Sequence, residues 1–322
     1  MSAAMPKTTP ARIQDYRVER LLNSSPALCF FYSVSRIDAQ ALEGAYADPR
    51  ELDGMSDANA QKWLDQSVAK RGMPALNESM ELIIRHIGSI AMGLSWGHLA
   101  EINRPQSRLF QFRECFRPLA RQIAHKPRFN WWWDGATTPV ITAKDIGTGP
   151  LADLGDFGGW SNQPRGHDTL QTTQGPVGND PSTLLWCVDN DTILEGDPRT
   201  TPLSQSPTQG RGFQIKEPSD WAELVRRAPH LMDDQEVVRN WTYFLGEQSS
   251  WVTPAWDLLA PHIDWVELTL GGFLLAAYQP IHVNGHATAI IGWNPGATIH
   301  FGMNMTKYLE WAKGSAEGLG DI

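Results

Sequence analysis

Three kinds of side chain in this 322-residue sequence have the type and spacing to do chemistry: a lone acid, a pair of hydroxyls and clustered bases. The acid is Glu267, set in the apolar run DWVELTLGGFLLAAYQP at residues 264–280. If that run is a strand, Val266, Leu268 and Leu270 line one face while Trp265, Glu267 and Thr269 line the other. A solvent-facing residue on a half-exposed strand satisfies this alternation. So does an acid on the floor of a cleft closed by Gly271 and Gly272, where a carboxylate binds ribose hydroxyls or stabilises a developing cation. The hydroxyls are Thr172 and Thr173, ending the segment QPRGHDTLQTTQG, in which a Pro- and Gly-rich turn leads into a strand. Short hydroxyl side chains at a strand end can fix a second element by hydrogen bonding.

The bases group in SRLFQFRECFRPLARQIAH, where Arg113, Arg117 and Arg121 follow one another at i+4. An α-helix would align the three guanidinia, as a solvated face or as a stripe for phosphate or RNA. Pro118 argues against one straight helix. His282 and His286, in HVNGH, have the spacing of a helical metal pair, but Val283, Asn284 and Gly285 make a poor helix and a good turn. No metal site is expected. Of the fourteen tryptophans, three stand together in RFNWWWDG. On a strand, Trp131 and Trp133 would share one side and Trp132 the other, filling gaps between a sheet and a helical part or forming an aromatic wall.

These residues need elements to hold them. After a polar leader of about twenty residues, PALCFFYSV reads as a buried strand. Helices follow: SDANAQKWLDQSVAKRG, capped by Ser56 or Asp57 and stopped by Gly72, and NESMELIIRHIGSIAMGL, capped by Asn77 with Met80, Ile83, Ile84, Ile87, Ile90 and Ala91 on one stripe. From about residue 126 short β-like runs take over: TPVITA, TLQTT, TLLWCVD, GFQIK, WVELTL, ATAIIGW and ATIHFGM. Between the third and fourth runs lies a long polar loop rich in proline. SDWAELVRRAP, with Ser219 as cap, and TPAWDLLAPH read as the two helices of this half. The fold class is α+β: residues 1–125 form a mainly helical region, and residues 126–322 a twisted, mostly antiparallel β-rich domain.

Charge divides the chain the same way. Residues 1–125 hold 15 Lys+Arg against 13 Asp+Glu, and residues 126–322 hold 12 against 23, within a formal net charge of −9. That balance disfavours attraction of the whole surface to nucleic acid or anionic lipid. Cys29, Cys115 and Cys187 lie far apart without a CxxC, suiting a reducing cytoplasm. No run is apolar and long enough to suggest a secretion signal or a membrane span.

The order of a basic residue on an early strand (Arg128), a hydroxyl pair on a middle strand (Thr172, Thr173) and a glutamate on a late strand (Glu267) resembles the Arg, Ser-Thr-Ser, Glu layout of the ADP-ribosyltransferase superfamily. The resemblance covers residues 126–322. It implies that NAD is a substrate, that Glu267 is the catalytic acid, and that Arg128, Thr172, Thr173 and Trp265 contact the cofactor. It further implies a macromolecular acceptor, protein or nucleic acid, with residues 1–125 binding the partner. In bacteria such enzymes often act as toxins or defence effectors. Here Trp265 occupies the position where many protein-modifying members carry Glu or Gln, so the nature of the acceptor stays open. A noncatalytic Trp-rich β module for carbohydrate or nucleic acid, and a protein-interaction module, are the alternative readings.

Overall fold

Pro26 stands at the start of a helix, where its missing N–H costs nothing. In a computed structural model the expected strand PALCFFYSV is therefore the helix Ser25–Arg36, buried on every side from Ser25 to Ser35. A short apolar run does not distinguish a buried strand from a buried helix, and burial all round is what removed the periodicity. The structure describes residues 10–38, 47–95, 107–135, 141–145, 161–164, 166, 169–174, 201–203, 210–304, 306, 307 and 310.

The central helix organises the amino-terminal half. The helix Met80–Ser95 packs on it, burying Ile83, Ile84, Ile87, Ile90 and Ala91 of the expected stripe, while Met80 at its start is only partly buried. Each of the four isoleucines contributes roughly 1.5–3 kcal/mol by leaving water. This helix starts at Met80, beyond the expected Asn77 cap, and the Ser79 hydroxyl accepts the Leu82 N–H. Part of the polar leader is itself helical, Pro10–Leu22. The helix Asp57–Ser67 has Ser56 at its N-cap, but Gly72 does not end it: a π turn, Val68–Gly72, leads straight into Met73–Ala75. Gly72 is helical, and a Cβ there would lie 2.6 Å from Ser35 Oγ, so glycine serves close packing instead of termination. The expected arginine helix is broken into Arg108–Gln111, a 3₁₀ turn Arg113–Phe116 and Arg117–His125, with Pro118 in the first turn of the last piece.

Among the described residues the second half has ten strands: β1 (Ile141–Asp145), β2 (Thr169–Gln174), β3 (Thr201–Leu203), β4 (Gly212–Ile215), β5 (Pro229–Leu231), β6 (Val252–Pro254), β7 (Trp265–Leu268), β8 (Ile281–Val283), β9 (His286–Thr288) and β10 (Ala297–Phe301). Six form one sheet in the order β3-β1-β2-β10-β7-β4, antiparallel except for the parallel pair β4 and β7. β8 and β9 form a hairpin, and β5 and β6, separated in the chain by the helix Gln235–Leu245, form a second two-stranded antiparallel sheet. The architecture is α+β, as composition and patterning predict. The expected strand TLLWCVD lies outside the described residues, and so does most of the long loop, within which β3 falls. In ATAIIGW only the start is strand.

Several local signals are rewritten by context. Glu217, not Ser219, caps the helix Pro218–Arg227, in a reciprocal box with Asp220. WWWD is a short helix, Trp131–Asp134, so the strand alternation expected for the three tryptophans does not apply. Trp132 and Trp133 are buried beside Gly271, where a Cβ would lie 2.2 Å from the Trp133 ring. They join the helical region to the sheet region, and a single apolar core runs from Val18 to Ile299. Trp221, Trp256 and Trp293 form a second buried group with centroids 5.8–6.0 Å apart and tilted or edge-on rings.

Candidate functional site

The main sheet places one residue from each of five strands in a single row. β1 pairs Ala143 with Thr172, β2 pairs Thr172 with Thr298, β10 pairs Thr298 with Glu267, and β7 pairs Glu267 with Gln214. Directly paired residues share a face of the sheet, with Cβ atoms about 5 Å apart. Val266 and Leu268, one residue out of phase, turn to the opposite, aliphatic face and are fully buried. Thr172 and Glu267 therefore share a face, separated by Thr298.

Glu267 is 7% exposed, which rules out the solvent-facing reading. Its Oε2 accepts a hydrogen bond from Gln214 Nε2 at 2.7 Å, and the same amide nitrogen donates to the Asp134 carbonyl at 3.1 Å. The chain then turns through Gly135 at φ 76°, against the carboxyl group. A Cβ at Gly135 would lie 2.8 and 2.9 Å from the two Glu267 oxygens, so glycine is required both by the backbone and by this approach. Burial raises the Glu267 pKa above its ordinary value, opposed by the Gln214 hydrogen bond and the positive charge of Lys216. Lys216 Nζ lies 3.9 Å from Asp134 Oδ1.

Along the rest of the row, Thr172 Oγ1 and His300 Nε2 are hydrogen bonded at 2.9 Å. His300 is 2% exposed, and burial lowers its imidazole pKa to about 3, so it is neutral at ordinary pH. The Thr298 hydroxyl is buried without a partner, and so is the indole Nε1 of Trp265. Trp265 is paired with both His300 and Gly212, where a Cβ would fall 1.8 Å from its ring. The face thus carries a buried carboxyl, an amide, two threonine hydroxyls and an indole, a set that suits a polyhydroxylated ring.

The structure brings together Glu267, Thr172 and Trp265 from the expected site residues. Thr173 pairs with Ala297 and Thr142 one step along, and its side chain lies outside the described residues. Arg128 is elsewhere: it sits on a 3₁₀ turn, Pro127–Phe129, instead of an early strand. Its Nη1 donates to the Leu76 carbonyl at 3.2 Å and its Nη2 to the Glu78 carbonyl at 2.6 Å. Thr269 caps the helix Leu270–Ala276, its Oγ1 accepting the Gly272 N–H at 2.9 Å, so Gly271 and Gly272 belong to a buried helix and do not close a cleft. Gln214, Lys216, Thr298 and His300 are the members that sequence reasoning missed. They stand in the expected strands GFQIK and ATIHFGM, and only the strand order joins them to Glu267.

Two of the three arginines of the expected stripe are committed to structure. Arg113 Nη1 donates to the Phe110 carbonyl, and Arg117 is held by Glu19 at 2.6 Å and Glu114 at 2.7 Å; Arg121 is exposed. His282 and His286 flank the β8–β9 turn, with Asn284 and Gly285 at positive φ, the turn read from HVNGH. Among the described residues no group of three His, Cys, Asp or Glu could hold a metal ion, and no helix is long and apolar enough to cross a membrane. Cys29 is fully buried, with its thiol pKa raised to about 12 by desolvation. No known protein family, curated protein or solved structure matches the chain.

Proposed function

We propose that the chain is an ADP-ribosyltransferase-like enzyme that takes NAD as substrate at the Glu267 face of the main sheet. The observation that carries this reading is the row Thr172, Thr298, Glu267, Gln214, in which a buried carboxyl shares one face with two hydroxyls and the Trp265 indole. Such a set hydrogen-bonds ribose hydroxyls and stacks on a ring. In the reaction the bond between the ribose C1 and the nicotinamide nitrogen breaks, its electron pair leaving with nicotinamide. Ionised Glu267 offsets the positive charge that develops on the ribose. An acceptor oxygen or nitrogen on a protein or nucleic acid then bonds to C1 and loses its proton. Among the described residues Lys216 is a cation near this face, and it takes the cofactor-contact role that the resemblance gave to Arg128, whose guanidinium is held by the Leu76 and Glu78 carbonyls.

A second reading, noncatalytic binding of a polyhydroxylated ring, is favoured by the commitment of Arg128 to the Leu76 and Glu78 carbonyls. Burial of the described tryptophan clusters in edge-on groups speaks against an open stacking surface of the Trp-rich kind. Release of nicotinamide from NAD separates the two. The transferase reading expects release by the wild-type protein and its loss in Glu267→Gln. Binding without release by a protein supplied with candidate acceptors leaves the binding reading.

A further inference from the structure

Two threonines stand side by side in the site row, and they differ in what their hydroxyls do. Thr172 is engaged with His300 at 2.9 Å, a bond between two buried side chains. Thr298 is 1% exposed and its Oγ1 has no partner, although it is paired across the sheet with both Thr172 and Glu267. A buried hydroxyl without a partner is costly, and native interiors seldom keep one unless a further group uses it. Gln214 faces Glu267 from the other flank, on the far side of β7, and its amide N–H groups already donate to Glu267 and Asp134. The strand itself is well specified here: Ala297 and Ile299 on either side are fully buried on the opposite face, which fixes the register and holds Thr298 in the row.

We infer that Thr298, and not Thr172, supplies the threonine hydroxyl that contacts the ligand of this site, and that the ligand there is a hydroxylated ring such as the ribose of NAD. The inference rests on the reading of the Glu267 face as a ribose site. Thr172 instead positions His300 and keeps the neighbouring strands in place. Thr298 is paired directly with Glu267 and lies between it and the Thr172–His300 pair, so its free Oγ1 belongs to the residue next to the carboxyl in the row.

The substitution that isolates the hydroxyl is Thr298→Val, which keeps the branched shape. A hydroxyl that is unpaired in the free protein contributes nothing to folding, so the variant unfolds at the same temperature as the wild type or higher. The same hydroxyl used by a ligand makes the variant bind more weakly, by roughly 3- to 10-fold for one lost hydrogen bond. Thr172→Val shows the other pattern: it melts lower because the His300 bond is lost, and in the fraction that remains folded it loses less ligand affinity than Thr298→Val. The probes are NAD and ADP-ribose, titrated calorimetrically into both variants, the wild type and Glu267→Gln. If the wild type binds neither probe, the ribose-site reading falls and the inference with it. If the wild type binds, Glu267→Gln weakens binding and Thr298→Val does not, the reading stands and the inference is overturned. A lower melting temperature for Thr298→Val likewise overturns it, because the hydroxyl is then already satisfied without ligand.

Discussion

Lowering the pH from 7 to 5 should weaken the wild-type fold through His300, and the size of the effect follows from its burial. The folded imidazole has its pKa lowered to about 3, whereas an exposed histidine in the unfolded chain titrates near 6.5. Below pH 6.5 the unfolded state takes up a proton that the folded state does not hold until about pH 3, so stability falls as pH falls through that window. At pH 5 the unfolded chain is favoured by about 2 kcal/mol relative to pH 7 from this one group. His86, hydrogen bonded to Ser33 at 2.9 Å and lowered to about 4 by burial, adds a similar amount independently. Urea unfolding at pH 7 and pH 5 measures the sum, and His300→Gln isolates one part of it. The variant should lose about 2 kcal/mol less than the wild type between the two pH values, while His86 and the carboxylates contribute equally to both. Equal losses in the two proteins would mean that His300 takes up its proton in the folded state, and the argument from burial would be wrong.

Glu267 should act with the opposite sign. Its folded pKa is raised, so stability falls as pH rises from the unfolded value near 4.3 through the folded one, and Glu267→Gln should gain on the wild type across that window in the same unfolding assay. Arg128→Ala removes two hydrogen bonds from a charged donor to the Leu76 and Glu78 carbonyls. It should cost about 1–2 kcal/mol of stability, read by urea, and leave NAD affinity within twofold. Gly135→Ala places a Cβ 2.8 Å from Glu267 Oε2 at a residue with φ 76°, and should destabilise the fold by more than about 1 kcal/mol while weakening NAD binding in calorimetry.

Alternation along one strand was enough to separate Glu267 from Val266 and Leu268, because the side-chain period of a strand is local and needs no partner. What Glu267 faces was not legible. Gln214 lies 53 residues earlier in the chain, and only the parallel pairing of β4 with β7 sets its amide on the carboxyl. Thr298 is equally invisible until β10 is known to lie between β2 and β7. The helix Ser25–Arg36 was misread because its full burial erases the periodicity that distinguishes helix from strand. Arg128 was misplaced for a related reason: its segment follows the helix Arg117–His125 and packs back on the helical region, where carbonyls at the end of another helical segment take up its charge. The charge asymmetry between the halves was readable. The pairing of Arg117 with Glu19 across 98 residues, which neutralises part of the basic stripe, was not.

The central claim is that Glu267, buried on the polar face of the sheet, is where the ligand binds. Protein labelled with ¹³C at the glutamate carboxyl carbon reports it directly, with the Glu267 signal assigned by its absence in Glu267→Gln. In the free protein this signal should titrate above the other glutamates, and saturating NAD should shift it and move its titration. A Glu267 signal that titrates with the exposed glutamates and does not respond to NAD would contradict both the geometry and the function built on it.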